Sequence, residues 1–192
     1  MNNVDYLSRL QSVIPGGAHT YSRGSDQFPS NAPQILSHGL GAYSYDPDGN
    51  QYVDYAMGCR SVTLGFANER INNAAIAQIN NGNSLTRPSL IELEAAELIV
   101  DLIPSAEMVK FAKNGSNVTT AALKLARSYT SRPFICIPRQ HPFFSFDDWF
   151  IGTTPPSRGI PESHHTHTLL FDYNDIESLR SLFLKYPGQI AA

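Results

Sequence analysis

Val109-Lys110-Phe111-Ala112-Lys113-Asn114-Gly115-Ser116-Asn117-Val118, continuing as TTAALKLAR to Arg127, is the stretch that decides the fold. Val109 to Ala112 is a short apolar run with a β-branched start, which predicts a strand. Asn114 to Asn117 is a turn of small polar residues. Val118, Ala121, Ala122, Leu125, Ala126 and Tyr129 then recur at helical spacing and predict one buried helix face. The chain therefore passes from a strand through a glycine turn into a helix N-terminus. Such an end leaves backbone N–H groups unpaired and carries the positive pole of the helix dipole. Gly115 permits close approach of a ligand and Ser116 adds a hydroxyl, so the turn reads as a phosphate seat. From spacing alone it reads more readily as a plain N-cap, with Ser116 or Asn117 as the capping residue and Gly115 easing the turn. It is neither a Walker loop nor a GxGxxG fingerprint.

Composition narrows the classes. The 192 residues suffice for one domain or somewhat more, and 42% of them are hydrophobic, which supports a real core. A net charge of −3 gives no reason to expect nucleic acid or an anionic membrane as partner. No apolar run approaches the roughly 18 residues of a membrane span. The opening MNNVDYLSRLQ lacks the basic and apolar regions of a secretory signal. Cys59 and Cys136 form neither a metal pattern nor a disulfide framework, so a reducing cytoplasmic location is expected. The last residues, Gly188-Gln189-Ile190-Ala191-Ala192, read as the opening of a buried strand, and a fragment of a longer protein is expected.

Along the chain, Val4, Leu7, Leu10 and Val13 predict a short helix that Pro15-Gly16-Gly17 stops. Residues 19–32 read as loop. Gln34–Ser37, Ala42–Tyr45 and Gln51–Tyr55 read as an antiparallel meander, its second turn the strong hairpin signal Asp46-Pro47-Asp48-Gly49-Asn50. Helices are expected over Glu69–Asn80, with Ile71, Ala74, Ala75 and Ile79 inward, and over Ser89–Leu102. In the second, Leu90, Leu93 and Val100 trace the inner face, and Ser89 with Glu92 forms a capping box. Phe134–Ile137 and Thr168–Phe171 read as buried strands, and Asp175–Lys185 as a helix capped by Asn174. This alternation predicts an α/β fold with a mostly parallel sheet covered by helices. Ligands of such sheets sit beyond the carboxyl ends of strands, where the Asn114–Asn117 turn falls. The boundaries expected are 1–56 for an N-terminal segment with the small sheet and 57–192 for the first part of a larger domain.

Other clusters carry less. His164, His165 and His167 lie in a Pro/Ser-rich loop without supporting ligands, so no metal is expected. Asp147-Asp148 suits a cap or loop better than paired acid–base work. The aromatic run from Phe143 to Phe150 is either core or a shelf for a flat heterocycle whose phosphate sits at Ser116.

Four segments in order carry a family resemblance: Ile14-Pro15-Gly16-Gly17 followed by Arg23; Gly41-Ala42-Tyr43 through the DPDGN turn to Tyr52-Val53-Asp54-Tyr55; Leu64-Gly65; and Val109 to Arg127. Together they resemble the N-terminal half of class III pyridoxal-phosphate aminotransferases, above all those of the glutamate-1-semialdehyde 2,1-aminomutase type. The resemblance implies an aspartate-aminotransferase-like fold, fold type I, truncated here. It implies pyridoxal phosphate as cofactor, a small-molecule amino donor and acceptor, and a homodimer at full length. It assigns the cofactor phosphate to Gly115, Ser116 and Asn117, where Asn117 replaces the usual acidic residue. It assigns ring stacking to Phe143, where the family's Tyr-His-Gly pattern is otherwise absent. It assigns the substrate carboxylate to Thr20 and Arg23, whose guanidinium fork suits a carboxylate. The aminomutase tryptophan falls on Cys59, which implies a different substrate, a bulkier amino acid or an amino sugar. The lysine that forms the Schiff base and the aspartate at the pyridine nitrogen belong to the half of the family pattern beyond this stretch. None of Lys110, Lys113, Lys124 and Lys185 stands at the family's lysine position. The chain by itself is expected not to transaminate.

Overall fold

The computed structural model describes residues 5–140, 145–155 and 157–192. The chain divides into two units, Met1–Arg87 and Pro88–Ala192. Residues 57–87 thus associate with the meander side of the chain.

The first unit opens with helix α1, Tyr6–Val13, capped by the Asp5 carboxylate, which accepts from Ser8 N–H at 2.9 Å. Three 3-10 turns follow: Pro15–Gly17, Tyr21–Arg23 and Ser25–Gln27. Strands β1 (His38–Leu40), β2 (Tyr43–Tyr45) and β3 (Gln51–Val53) form an antiparallel meander in that order. The first strand lies later than the expected Gln34–Ser37, because the ladder pairs His38 with Tyr45 and Leu40 with Tyr43. The DPDGN turn closes as its sequence demands. Asp46 accepts from the backbone N–H groups of Asp48 and Asn50, from the Asn50 side-chain amide and from the Tyr52 hydroxyl, all at 2.8–3.0 Å. One short helical turn, α2 (Met57–Arg60), follows the meander. Helix α3 covers Glu69–Asn80 as expected, with Asn68 as N-cap.

In the second unit, α4 (Leu90–Leu102) starts with the expected capping box of Ser89 and Glu92. Helix α5 spans Gly115–Thr130 and ends where Ser131 turns left-handed at φ 56°. Strand β4 (Ile135–Pro138) pairs in parallel with β5 (Thr168–Phe171), joining Ile135 to Thr168 and Pro138 to Phe171. On the other edge of β4, Phe134 bridges Ile190 in parallel, and Cys136 N–H donates to the Ala192 carbonyl at 2.8 Å. The expected strand from Gln189 onward therefore does align with β4. Between β4 and β5 lie two one-turn helices, α6 (Asp148–Ile151) and α7 (Glu162–His165), and α8 (Ile176–Lys185) follows β5.

Three expectations need correction. Val109–Ala112 forms no ladder among the described residues; a strand needs a hydrogen-bonded neighbour, and none is aligned with it. The cap of α8 is Asp175, which accepts from Glu177 and Ser178 N–H, while Asn174 takes a left-handed φ of 60° just before it. The apolar helix stripes expected to face inward are open: Ile71 and Ile79 of α3, Leu90 and Leu93 of α4, and Leu125 and Tyr129 of α5 are all exposed. A stripe records a capacity for burial, and no described element packs on these faces. Among the described residues, Ile135, Phe150 and Ile190 are the fully buried hydrophobic ones.

Candidate functional site

The start of α5 is built by Asn114. Its side-chain oxygen accepts from Asn117 N–H at 3.0 Å, and its carbonyl accepts from Val118 N–H at 3.1 Å. The capping residue is thus Asn114, not Ser116 or Asn117. A capping side chain satisfies the third helical N–H and leaves the first two free. These belong to Gly115 and Ser116, and neither they nor the Ser116 hydroxyl has a partner among the described residues. The cap and the anion seat are therefore compatible, because Asn114 supplies the first and leaves room for the second. No acidic residue stands in the first turn of α5. Two free N–H groups, a free hydroxyl and a positive helix pole fit a phosphate. The Asn117 N–H is already committed, so that residue has only its exposed side chain to offer.

The far wall of this helix turn is polar and partly buried. Thr120 Oγ1 donates to Asp147 Oδ2 at 2.6 Å and accepts from the Trp149 indole N–H at 2.8 Å. Ser145, fully buried, also donates to Asp147 Oδ2, at 3.1 Å. Thr168 of β5 donates to the Trp149 carbonyl at 2.8 Å. In the sequence the Asp147-Asp148 pair reads as a cap or loop, and Thr120 carries no signal of its own. Their pairing joins residues 27 positions apart and leaves no periodic or spacing signal. Asp147 does precede α6, as expected of a cap residue, but its carboxylate faces Thr120 and Ser145 instead of the helix N–H groups.

The remaining candidates sit elsewhere. Thr20 and Arg23 belong to the first unit and share one turn, with Arg23 N–H on the Thr20 carbonyl at 3.0 Å. Arg23 is exposed and its guanidinium has no partner among the described residues, as a carboxylate receptor requires. Thr20 lines a shallow hollow with Gln11, Pro15, Tyr21 and Asp26. Phe143, the expected stacking residue, lies outside the described residues, and so does the side chain of Cys59. The histidine loop assembles no metal site: among the described residues no group of three or more metal-ligating side chains comes together. His164 lies 3.6 Å from Asp148, and His167 Nδ1 contacts the Ser163 carbonyl at 3.0 Å. Burial pushes the Cys136 thiol up from its ordinary pKa, which makes it a poor nucleophile. No described helix is long and apolar enough to cross a membrane.

Comparison with known proteins identifies the family. Residues 22–188 match the class-III aminotransferase family. The chain is 32% identical to a glutamate-1-semialdehyde 2,1-aminomutase of Syntrophomonas wolfei subsp. wolfei, over 99% of this chain and 46% of that protein. It is 33% identical to the enzyme of the same name from Francisella philomiragia subsp. philomiragia, over 100% of this chain and 46% of that protein. The FumI protein of Sphingopyxis sp. MTA144, solved in a form carrying PLP, superposes with a TM-score of 0.88 at 34% identity, over 97% of this chain and 44% of that one. The chain thus spans about half the length of these relatives, and its α/β architecture is that of the fold type I PLP transferases. With most of its residues matched, the chain belongs to the class-III aminotransferases.

Proposed function

We propose that this chain supplies the N-terminal part of a pyridoxal-phosphate-dependent aminotransferase or aminomutase acting on an amino acid or amino sugar. The observation that carries the reading is the start of α5. There Asn114 caps the helix and leaves the Gly115 and Ser116 N–H groups and the Ser116 hydroxyl free for a phosphate. When bound, pyridoxal phosphate supplies an aldehyde that takes up an amino group and a ring that draws electrons from the neighbouring carbon. The protein's part is to hold and orient. Gly115 and Ser116 fix the phosphate, with the Asn117 side chain beside them, and Phe143 covers the ring face. Arg23, assisted by Thr20, orients a substrate carboxylate through its bidentate fork. We take 1–56 as an N-terminal segment and 57–192 as the first part of the cofactor domain. The assembled enzyme is a cytoplasmic homodimer.

None of the four lysines of this chain takes the Schiff-base role in this reading, so the 192 residues alone bind at most the cofactor and do not transaminate. A second reading stands beside the first: a split or truncated form without catalysis of its own. The intact mass of the protein from its native source separates the two. A mass near twice that of this chain supports the longer enzyme, and a mass matching the 192 residues supports the second reading.

Ser116→Ala in the natural protein tests the seat. It should weaken pyridoxal-phosphate retention by about 1–2 kcal/mol, the worth of one charge-assisted hydrogen bond. Equal affinity of the two proteins in a cofactor titration would remove the seat from Ser116.

A further inference from the structure

We infer that Thr120, Asp147 and Trp149 form a one-directional hydrogen-bond relay that sets the position of the phosphate seat; the inference rests on the cofactor reading above. The indole N–H of Trp149 donates to Thr120 Oγ1 at 2.8 Å, and the Thr120 hydroxyl gives its single proton to Asp147 Oδ2 at 2.6 Å. A hydroxyl has one proton and two lone pairs, and an indole is a donor only. The polarity of the chain is therefore fixed, from Trp149 through Thr120 to the carboxylate, and no member can reverse. Both ends are themselves held. Ser145 donates to the same carboxylate oxygen at 3.1 Å and accepts from Asp147 N–H at 3.2 Å. Thr168 ties the Trp149 carbonyl to β5 at 2.8 Å, and β5 pairs with β4, whose Ile135 is fully buried.

Thr120 stands about one and a half turns into α5, on the same rigid helix as Gly115 and Ser116. A bond at Thr120 therefore fixes the rotation and depth of that helix start relative to the sheet. The distance from the buried strands to the free N–H groups is set by side chains instead of by apolar packing, since much of the helix surface is exposed. Thr120, Asp147 and Trp149 are positioning residues: they touch neither phosphate nor substrate, and act through the helix that does.

The test uses the full natural protein, titrated with pyridoxal phosphate and read by ³¹P NMR of the bound phosphate as well as by affinity. Thr120→Val keeps the shape and removes both bonds. It should raise the cofactor Kd about tenfold and move the bound ³¹P resonance. Thr120→Ser keeps the hydroxyl and should restore both. Trp149→Phe removes one donor and should shift the resonance in the same sense by less; it also serves if Thr120→Val does not fold. A general loss of stability would lower affinity without changing the resonance of the phosphate that does bind. Wild-type affinity and an unmoved resonance in Thr120→Val or Trp149→Phe would overturn the relay while leaving the cofactor reading intact. If the unmodified protein does not bind pyridoxal phosphate, the cofactor reading fails, and the positioning role falls with it.

Discussion

The meander of β1 to β3 and the parallel pair of β4 and β5 reach order by opposite means. In the meander each strand pairs with its sequence neighbour, and the turn between β2 and β3 is organised by one carboxylate. Asp46 gathers the backbone N–H groups of Asp48 and Asn50, the Asn50 amide and the Tyr52 hydroxyl within seven residues of chain. Its buried polar residue is Ser44, and no hydrophobic side chain of that unit is fully buried among the described residues. In the parallel pair, β4 finds β5 on one side and Ile190 on the other, far along the chain. All three buried hydrophobic residues, Ile135 of β4, Phe150 of α6 and Ile190, belong to the second unit. Local polar chemistry holds the first region, and distant apolar contact holds the second. Parallel strands cannot be joined by a tight turn, so they have no local route to order.

The largest expected effect of this difference is at Ile135, which is fully buried at the start of β4. Ile135→Ala should cost about 2–5 kcal/mol of the stability of the second unit. In urea titration followed by amide exchange, β4 and β5 should lose protection first while Tyr43–Tyr45 and Gln51–Val53 keep theirs. Equal loss in both regions would break the comparison and show that they unfold together.

The same contrast explains what could be read in the sequence. Helices α3 and α4 keep their expected extents because their starts are encoded by neighbours: Asn68 at the first, Ser89 with Glu92 at the second. The DPDGN turn is legible for the same reason. At the start of α5 polar residues flank Gly115 on both sides, and spacing points to Ser116 or Asn117 as the cap where the structure uses Asn114. The resolved cap left the seat residues free, which spacing also could not tell. Asn174 and Asp175 posed the same choice before α8, decided by the left-handed turn at Asn174. The β-branched apolar run Val109–Ala112 encodes compatibility with a sheet but supplies no neighbour, and it forms no ladder among the described residues. The Thr120–Asp147–Trp149 relay was invisible because each of its bonds spans more than twenty residues.

A smaller effect is expected from acid. The Asn50 side-chain amide, followed by its backbone N–H, the Tyr52 hydroxyl and the Asp48 N–H, holds the Asp46 carboxyl below the usual carboxylate range. The same contact, seen from the other side, raises the Tyr52 hydroxyl above its ordinary value. A depressed carboxyl pKa contributes stability that is complete above the unfolded-state value and is lost as pH falls through the folded one. Amide protection of the β2–β3 hairpin should therefore fall below about pH 4, the model-peptide value for aspartate, and Asp46→Asn should remove that pH dependence. Protection that stays flat through this range in the unmodified protein would mean that the strand ladder, not the carboxylate, holds the turn.

The smallest effect sharpens the comparison from the other side, since it places a local device inside the long-range unit. Ser131 ends α5 at φ 56° and ψ 29°, with its N–H on the Arg127 carbonyl at 2.8 Å. That left-handed conformation costs a residue with a Cβ about 1–2 kcal/mol. Glycine avoids that cost but gives back about 0.5–1 kcal/mol through its freer unfolded chain. Ser131→Gly should then gain about 0.5–1 kcal/mol, while Ser131→Ala, which keeps the Cβ, should gain nothing. Thermal midpoints of the two variants decide the matter. A gain only in the glycine variant shows that the end of α5 is set by its own backbone, as the DPDGN turn is. No gain in either would show that the left-handed turn at Ser131 carries no cost that glycine relieves.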